Sequence, residues 1–339
     1  MRKLLNDPFA AVDEMIDGLR VALGDLVELT PSGRGLVFTS PLPTRRVHVI
    51  TGGGSGHEPA FFGYLGQGLA DGAALGNVFA SPSAEPVVEV AESLVGRGSE
   101  GVLFIYGNYG GDVMNFGMAT ELLADGGIPC ATVLVTDDVS SSPRTARGSR
   151  RGVAGDVVVL KAAGARADEG GSLADVEAAA RHANERTRSV GVGLGPCIVP
   201  TAGVPTFELP DGQMDIGMGV HGEQGIRRAT LAPADDVADE LLDLILQDFG
   251  DPGDGPMLAV VNTLGATPLM EGLIVLRRVA QQLEVFGIPL HRALVGEYVT
   301  SLEMAGVSLT LTALDPELRR LVDAPALPLL APRVAPLWA

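Results

Sequence analysis

The chain has 339 residues and a formal net charge of −18, so phosphate backbones and anionic membrane surfaces would repel it, and nucleic acid and polybasic lipid anchoring are poor starting readings. With 46% hydrophobic residues it is long and apolar enough to bury one large domain or two ordinary ones, which argues against disorder. Lys3 and Lys161 are the only lysines, followed by Leu4 and Ala162, so no Lys-Ser/Thr phosphate loop exists.

In chain order, Val12, Met15, Ile16, Leu19 and Leu23 form one apolar helical stripe near the N-terminus. That terminus has no signal-peptide core, and no apolar run approaches the roughly 18 residues a spanning helix needs, which points to a cytoplasmic protein. Short β-branched runs then predict strands at Val47–Thr51, Val102–Tyr106, Ala131–Thr136, Val157–Leu160, Val190–Leu194 and Leu258–Asn262. Helices are predicted between them. Ser172 with Asp175 has the form of a capping box opening a helix to about Arg186. Pro233 with Asp235 and Asp236 opens another, carrying Val237, Leu241, Leu244 and Ile245, and Met270–Val285 is a further helix. The alternation predicts an α/β protein with a largely parallel sheet. A domain change is expected near Gly191–Pro205, and the Pro-rich 324–339 is expected to be irregular and packed on the surface.

Three segments carry candidate chemistry. TGGGSGHEP (Thr51–Pro59) follows a strand and precedes an apolar stretch, Ala60–Leu65, expected to be helical. Ligands gather at the carboxyl ends of parallel strands, so this reads as a binding loop ending in His57; the bland alternative is a flexible linker. GNYGGDVMNF (Gly107–Phe116) follows the strand VLFIY and would bring Asp112 to the same edge. A carboxylate beside an imidazole suits general-base work, although Asp112 could equally cap the next helix. In GMGVHGEQGIRR, Gly217, Gly219 and Gly222 match a dinucleotide fingerprint, but no helix is expected to begin at Gly222, so the match is a decoy. The residue of interest there is His221, framed by glycines. His48, His182 and His291 read as structural, Cys130 and Cys197 as buried reduced thiols, and no dedicated metal site is expected.

Read together, KLLNDP, TGGGSGHEP, NYGGDVMNF, RRGVAG, GVHGEQGIRR, NTLGATPLME and GEYVTSLEMAG resemble, in order and nearly end to end, the sugar-binding (K) subunit of dihydroxyacetone kinase. The resemblance implies two α/β domains, each a mixed sheet flanked by helices, with the sugar site between them. Their extents would be 1–190 and 191–339, the C-terminal tail packing back on the first, in a homodimer. It implies that His221 forms a covalent hemiaminal with the ketone of a short ketose, with His57 and Asp112 as the other catalytic residues. Gly54, Ser55, Gly56 and Ser81 would hold its hydroxyls. ATP or ADP with Mg²⁺ would sit on a separate all-helical, L-type partner subunit, this chain carrying no cofactor of its own. Two rivals remain: a ketose-sensing co-activator, which would keep the covalent histidine and lose its acid/base partners, and an α/β oxidoreductase. This sequence also departs from the family pattern. Gly107 stands where well-studied members carry a sugar-touching lysine, and Phe79–Ser83 and Ala60–Phe62 differ as well. Gly107 thus belongs to the inferred substrate pocket, and the freed space suggests a four-carbon ketose such as erythrulose.

Overall fold

The computed structural model describes residues 3–39 and 47–330. Helix α1 (Ala11–Leu23) buries the predicted stripe Val12, Ile16, Leu19 and Leu23. A six-stranded sheet follows, built from β1 (Val27–Leu29), β2 (Gly35–Phe38), β3 (His48–Ser55), β5 (Gly72–Val78), β6 (Val102–Gly107) and β7 (Cys130–Val135), in the order β1-β2-β5-β3-β6-β7. The short β4 (Gly66–Gln67) stands outside it. Helices α2 (Ala84–Val95), α3 (Gly110–Asp125), α4 (Asp156–Asp168) and α5 (Leu173–Glu185) complete this half. The chain then enters a second six-stranded sheet, whose strands are β8 (Thr187–Gly195), β9 (Gln213–Ile216), β10 (Arg227–Thr230), β11 (Met257–Thr263), β12 (Leu290–Gly296) and β13 (Ala305–Ala313). Its helices are α6 (Ala234–Phe249) and α7 (Leu269–Val285). Finally α8 (Pro316–Asp323) and β14 (Leu327–Pro328) return to the first half, where β14 pairs with β4.

Alternate strand residues face different cores, as the period of two demands. In the first sheet Ile50, Phe104 and Tyr106 pack with α2 and α3, while Val49, Leu103 and Ile105 face α4, α5 and α8. In the second sheet Leu258 and Val260 meet that same middle layer, and Ala259 and Val261 face α6 and α7. The middle helices are therefore covered on both sides. This explains one misread element: Val157–Leu160 is not a strand but the first turns of α4. Every residue from Asp156 to Ala165 is buried, so the helix shows no polar face and its β-branched run mimics a buried strand.

The largely parallel sheet is corrected as well. Strands β5, β3, β6 and β7 run parallel, but β1 and β2 are antiparallel, and the second sheet is antiparallel everywhere except β11 with β12. Its centre is β13, AGVSLTLTA, a stretch too poor in large β-formers to declare itself. Other expectations hold. Both hydrogen bonds of the Ser172–Asp175 capping box are present, and α6 and α7 begin within a residue of their predicted starts. Of the expected irregular tail, 324–330 packs back through β14, and 331–339 lies outside the described residues.

Candidate active site between the two sheets

The glycine run of TGGGSGHEP is strand, not loop. Thr51–Ser55 completes β3, with Gly52, Gly53 and Gly54 paired to Ala74, Leu75 and Gly76 of β5. The glycines are there because neighbours press in. A Cβ on Gly53 would overlap the Phe61 ring, and one on Gly54 would lie 2.7 Å from the Ala80 backbone nitrogen. The expected helix over Ala60–Leu65 is only a 3-10 turn at Phe62–Tyr64, because Phe61 is drawn onto the glycine face. Beyond β3 the Ser55 hydroxyl donates to the Gly76 carbonyl at 2.8 Å, and the Gly56 N–H donates to Glu58 at 2.9 Å.

His57 comes next, 4% exposed. Its Nδ1 lies 2.7 Å from the carbonyl of Thr300, in the loop after β12, and its Nε2 lies 2.9 Å from Nε2 of His221. Burial, with the neighbouring charge of His221 second, pushes the His57 imidazole down to about 3. Phe79 stacks on His57 at 4.9 Å between centroids, and both Phe79 and Tyr109 turn ring edges to His221 at 5.0 Å.

Asp112 sits in the first turn of α3 but does not cap it: Tyr109 is the N-cap residue, and no side-chain cap bond forms. Instead Asp112 is buried with Oδ1 unpartnered among the described residues, beside Ser81 and within the field of His221. Burial dominates and raises its carboxyl to about 6, against Ser81 and His221, which pull it down. The imidazole that hydrogen-bonds His57 is thus His221, and Asp112 answers chiefly to Ser81 and His221.

His221 lies in the turn between β9 and β10. Gly217 and Gly222 take positive φ, and the chain runs on into β10, not a helix, so the dinucleotide-like match was a decoy. Sequence reading missed Glu223, whose Oε2 accepts the His221 N–H at 2.9 Å and whose Oε1 lies 3.3 Å from His221 Nδ1. It missed Arg151, Tyr109 and Thr300 too. Arg151, Thr300 and Glu223 lie inside the motifs RRGVAG, GEYVTSLEMAG and GVHGEQGIRR, so the signal was the motif and not the residue. At Gly107, a Cβ would meet the Tyr109 ring at 3.0 Å and the Gly152 carbonyl at 3.2 Å, so Tyr109 occupies the foot of the space ascribed to a lost lysine.

The remaining candidates take structural places. His182 meets Asp315, His291 lies 2.8 Å from Asp323, and His48 lies 3.4 Å from Asp71. Cys197 is buried, whereas Cys130 is only partly covered. Among the described residues no cluster of three or more His, Cys, Asp or Glu is arranged to hold a metal, and no helix is long and apolar enough to cross a membrane.

Fold and site together define a two-sheet α/β protein with a histidine pair, an aromatic wall and a buried carboxylate where the sheets meet. The chain belongs to the Dak1 domain family, whose model matches residues 17–328. It is 42% identical, over 96% of its length and 97% of the relative's, to the dihydroxyacetone-binding subunit DhaK of PTS-dependent dihydroxyacetone kinase 2 from Listeria innocua. It is 45% identical to an L-erythrulose kinase from Pectobacterium atrosepticum, covering 96% of this chain and 55% of that protein. Among solved structures, the dihydroxyacetone kinase from C. freundii in complex with AMP-PNP and Mg²⁺ is similar with a TM-score of 0.86 at 31% identity, covering 98% of this chain and 62% of that one. A dihydroxyacetone kinase operon co-activator is similar with a TM-score of 0.84 at 30% identity, covering 92% and 96%.

Proposed function

We propose that this chain is the substrate-binding, catalytic subunit of a two-component ketose kinase. The observation that carries the reading is the convergence of His221, His57 and Asp112, from three separate segments, at one place between the sheets. In this reading Nε2 of His221 adds to the ketone carbonyl and holds the sugar as a hemiaminal. Glycerol, lacking a carbonyl, is rejected by chemistry and not by fit. Asp112 accepts the proton of the terminal hydroxyl as the phosphoryl group arrives, an acid raised toward neutrality being well matched to that task. Ser81 and the backbone at Gly54, Ser55 and Gly56 line the approach of the sugar hydroxyls. The nucleotide and Mg²⁺ belong to a helical L-type partner subunit, and two copies of this chain form a homodimer.

The ketose is dihydroxyacetone or a four-carbon relative, and we favour erythrulose. The relatives carry both names. In support, the buried Tyr109 hydroxyl has no hydrogen-bond partner among the described residues. Such groups are costly to leave unmet, and a polyol with one more hydroxyl can meet them. The deciding experiment is kcat/KM for dihydroxyacetone and both erythruloses with an L-type subunit present. A clear preference for dihydroxyacetone overturns the erythrulose choice, and turnover by this chain with ATP alone overturns the two-component reading. Likeness to the co-activator favours a second reading, a ketose sensor. It requires ketose binding with no turnover alongside any L-type subunit.

A further inference from the structure

Hydrogen-bond partners dictate where the protons of the two histidines sit. The Thr300 carbonyl can only accept, so His57 carries its proton on Nδ1. Its Nε2 faces Nε2 of His221 at 2.9 Å, so the two rings share one proton across that contact. The other nitrogen of His221, Nδ1, faces the Glu223 carboxylate at 3.3 Å, again an acceptor. His221 therefore carries a proton on Nδ1 facing the carboxylate, while its Nε2 faces His57.

Glu223 is itself built in. Its second oxygen accepts the His221 backbone N–H, and Arg151 Nη1 stands 3.7 Å away. Arg151 is anchored at its other edge to Asp138 at 2.9 Å and to the Gly217 carbonyl at 3.2 Å. Gly219 admits the pair, since a Cβ there would overlap both the Glu223 carboxylate and the Arg151 guanidinium. Burial alone would raise the Glu223 carboxyl, but the His221 hydrogen bond and charge, with Arg151, hold it at about 2, so it stays ionised.

We propose that Glu223, braced by Arg151, is a positioning residue that keeps a proton on His221 Nδ1 throughout addition, leaving Nε2 to bond the ketone carbon. The inference rests on the reading that His221 adds to the ketone. As the Nε2–carbon bond forms, the carbonyl π bond breaks. The proton shared between the two Nε2 atoms passes to the former carbonyl oxygen. The product is an Nε2-substituted imidazolium whose Nδ1–H still faces Glu223. Charge and protons balance, and His57 keeps its Nδ1 proton. The carboxylate thus stabilises the adduct, which would otherwise leave an isolated positive charge in a buried site.

The test uses the full chain with ¹⁵N-labelled histidine and dihydroxyacetone labelled with ¹³C at the carbonyl. The unaltered chain should show His221 Nδ1 protonated with and without ketose, and a tetrahedral carbon signal when ketose is bound. Glu223→Gln should weaken adduct formation by about tenfold or more, with partial rescue in Glu223→Asp. Adduct formation as tight in Glu223→Gln as in the unaltered chain would overturn the inference. So would a bare Nδ1 in the unaltered chain, a measurement independent of whether any variant folds. Absence of the tetrahedral signal from the unaltered chain would instead fell the hemiaminal reading, while the ligand-free ¹⁵N spectrum would still decide whether Glu223 holds the proton.

Discussion

His57 and Thr300 are joined twice across the two halves of the molecule: the Thr300 N–H donates to the His57 carbonyl at 3.2 Å, and the His57 ring meets the Thr300 carbonyl at 2.7 Å. Leu302 continues the seam by donating to Gly56 at 2.8 Å. The orientation of this imidazole, carried by the first half, is therefore set by the second. His57→Ala should lower turnover with the partner subunit by roughly 10²-fold or more, the usual contribution of a positioned proton carrier. It should slow ketose addition, seen as a delayed rise of the ¹³C tetrahedral signal. Unchanged turnover would remove His57 from the chemistry.

Asp112→Asn should separate binding from transfer. The adduct on His221 should persist while turnover falls by 10²- to 10⁴-fold, roughly. Because the folded carboxyl is raised to about 6, the folded chain holds a proton there that the unfolded chain releases near 4. Stability therefore declines as pH rises through that window, and the loss is complete above about pH 6. Removing the charge should recover stability on the order of 2 kcal/mol at pH 7 and nothing at pH 3, as read by thermal unfolding. Activity of the unaltered chain should fall below about pH 6 as the base takes up its proton.

Gly54→Ala tests whether the glycine run exists for close packing. Its Cβ would press on the backbone of Phe79 and Ala80, which cannot yield as a flexible side chain would. We expect destabilisation of about 1–3 kcal/mol and a raised KM, since the same turn carries Phe79 and Ser81. Near-native unfolding temperature and KM would contradict the packing account.

Gly107→Ala should act through Tyr109. The added methyl meets that ring at 3.0 Å, and the same ring stands 5.0 Å from His221. The expected result is a larger loss of kcat/KM for erythrulose than for dihydroxyacetone, measured side by side. Equal losses would show that Tyr109 does not read the fourth carbon.

Elements with strong local signals were legible in the sequence. The α1 stripe, the Ser172–Asp175 box and the runs VHVI, VLFIY and LAVVN all formed as expected. Elements whose reason lies elsewhere were not. The Val157–Leu160 run became helix because it is enclosed by both sheets, and Gly72–Val78 became a strand despite its small residues because Gly52–Gly54 can approach it. At the site, the motifs pointed to His57, Asp112 and His221, but not to who touches whom. Asp112 looked like the partner of His57, and the partner turned out to be another histidine.

That difference has one physical cause. Periodicity, caps and glycine runs are local, so the chain alone disclosed its α/β character, most of its elements and the three residues worth watching. Proton positions are relational. Which nitrogen of His221 carries a hydrogen depends on a carbonyl at Thr300, a carboxylate at Glu223 and an arginine at position 151, brought within a few ångströms only when the two sheets close on the middle helices. No spacing in the sequence encodes that meeting, so tertiary packing alone set the order of hydrogen bonds around the imidazole.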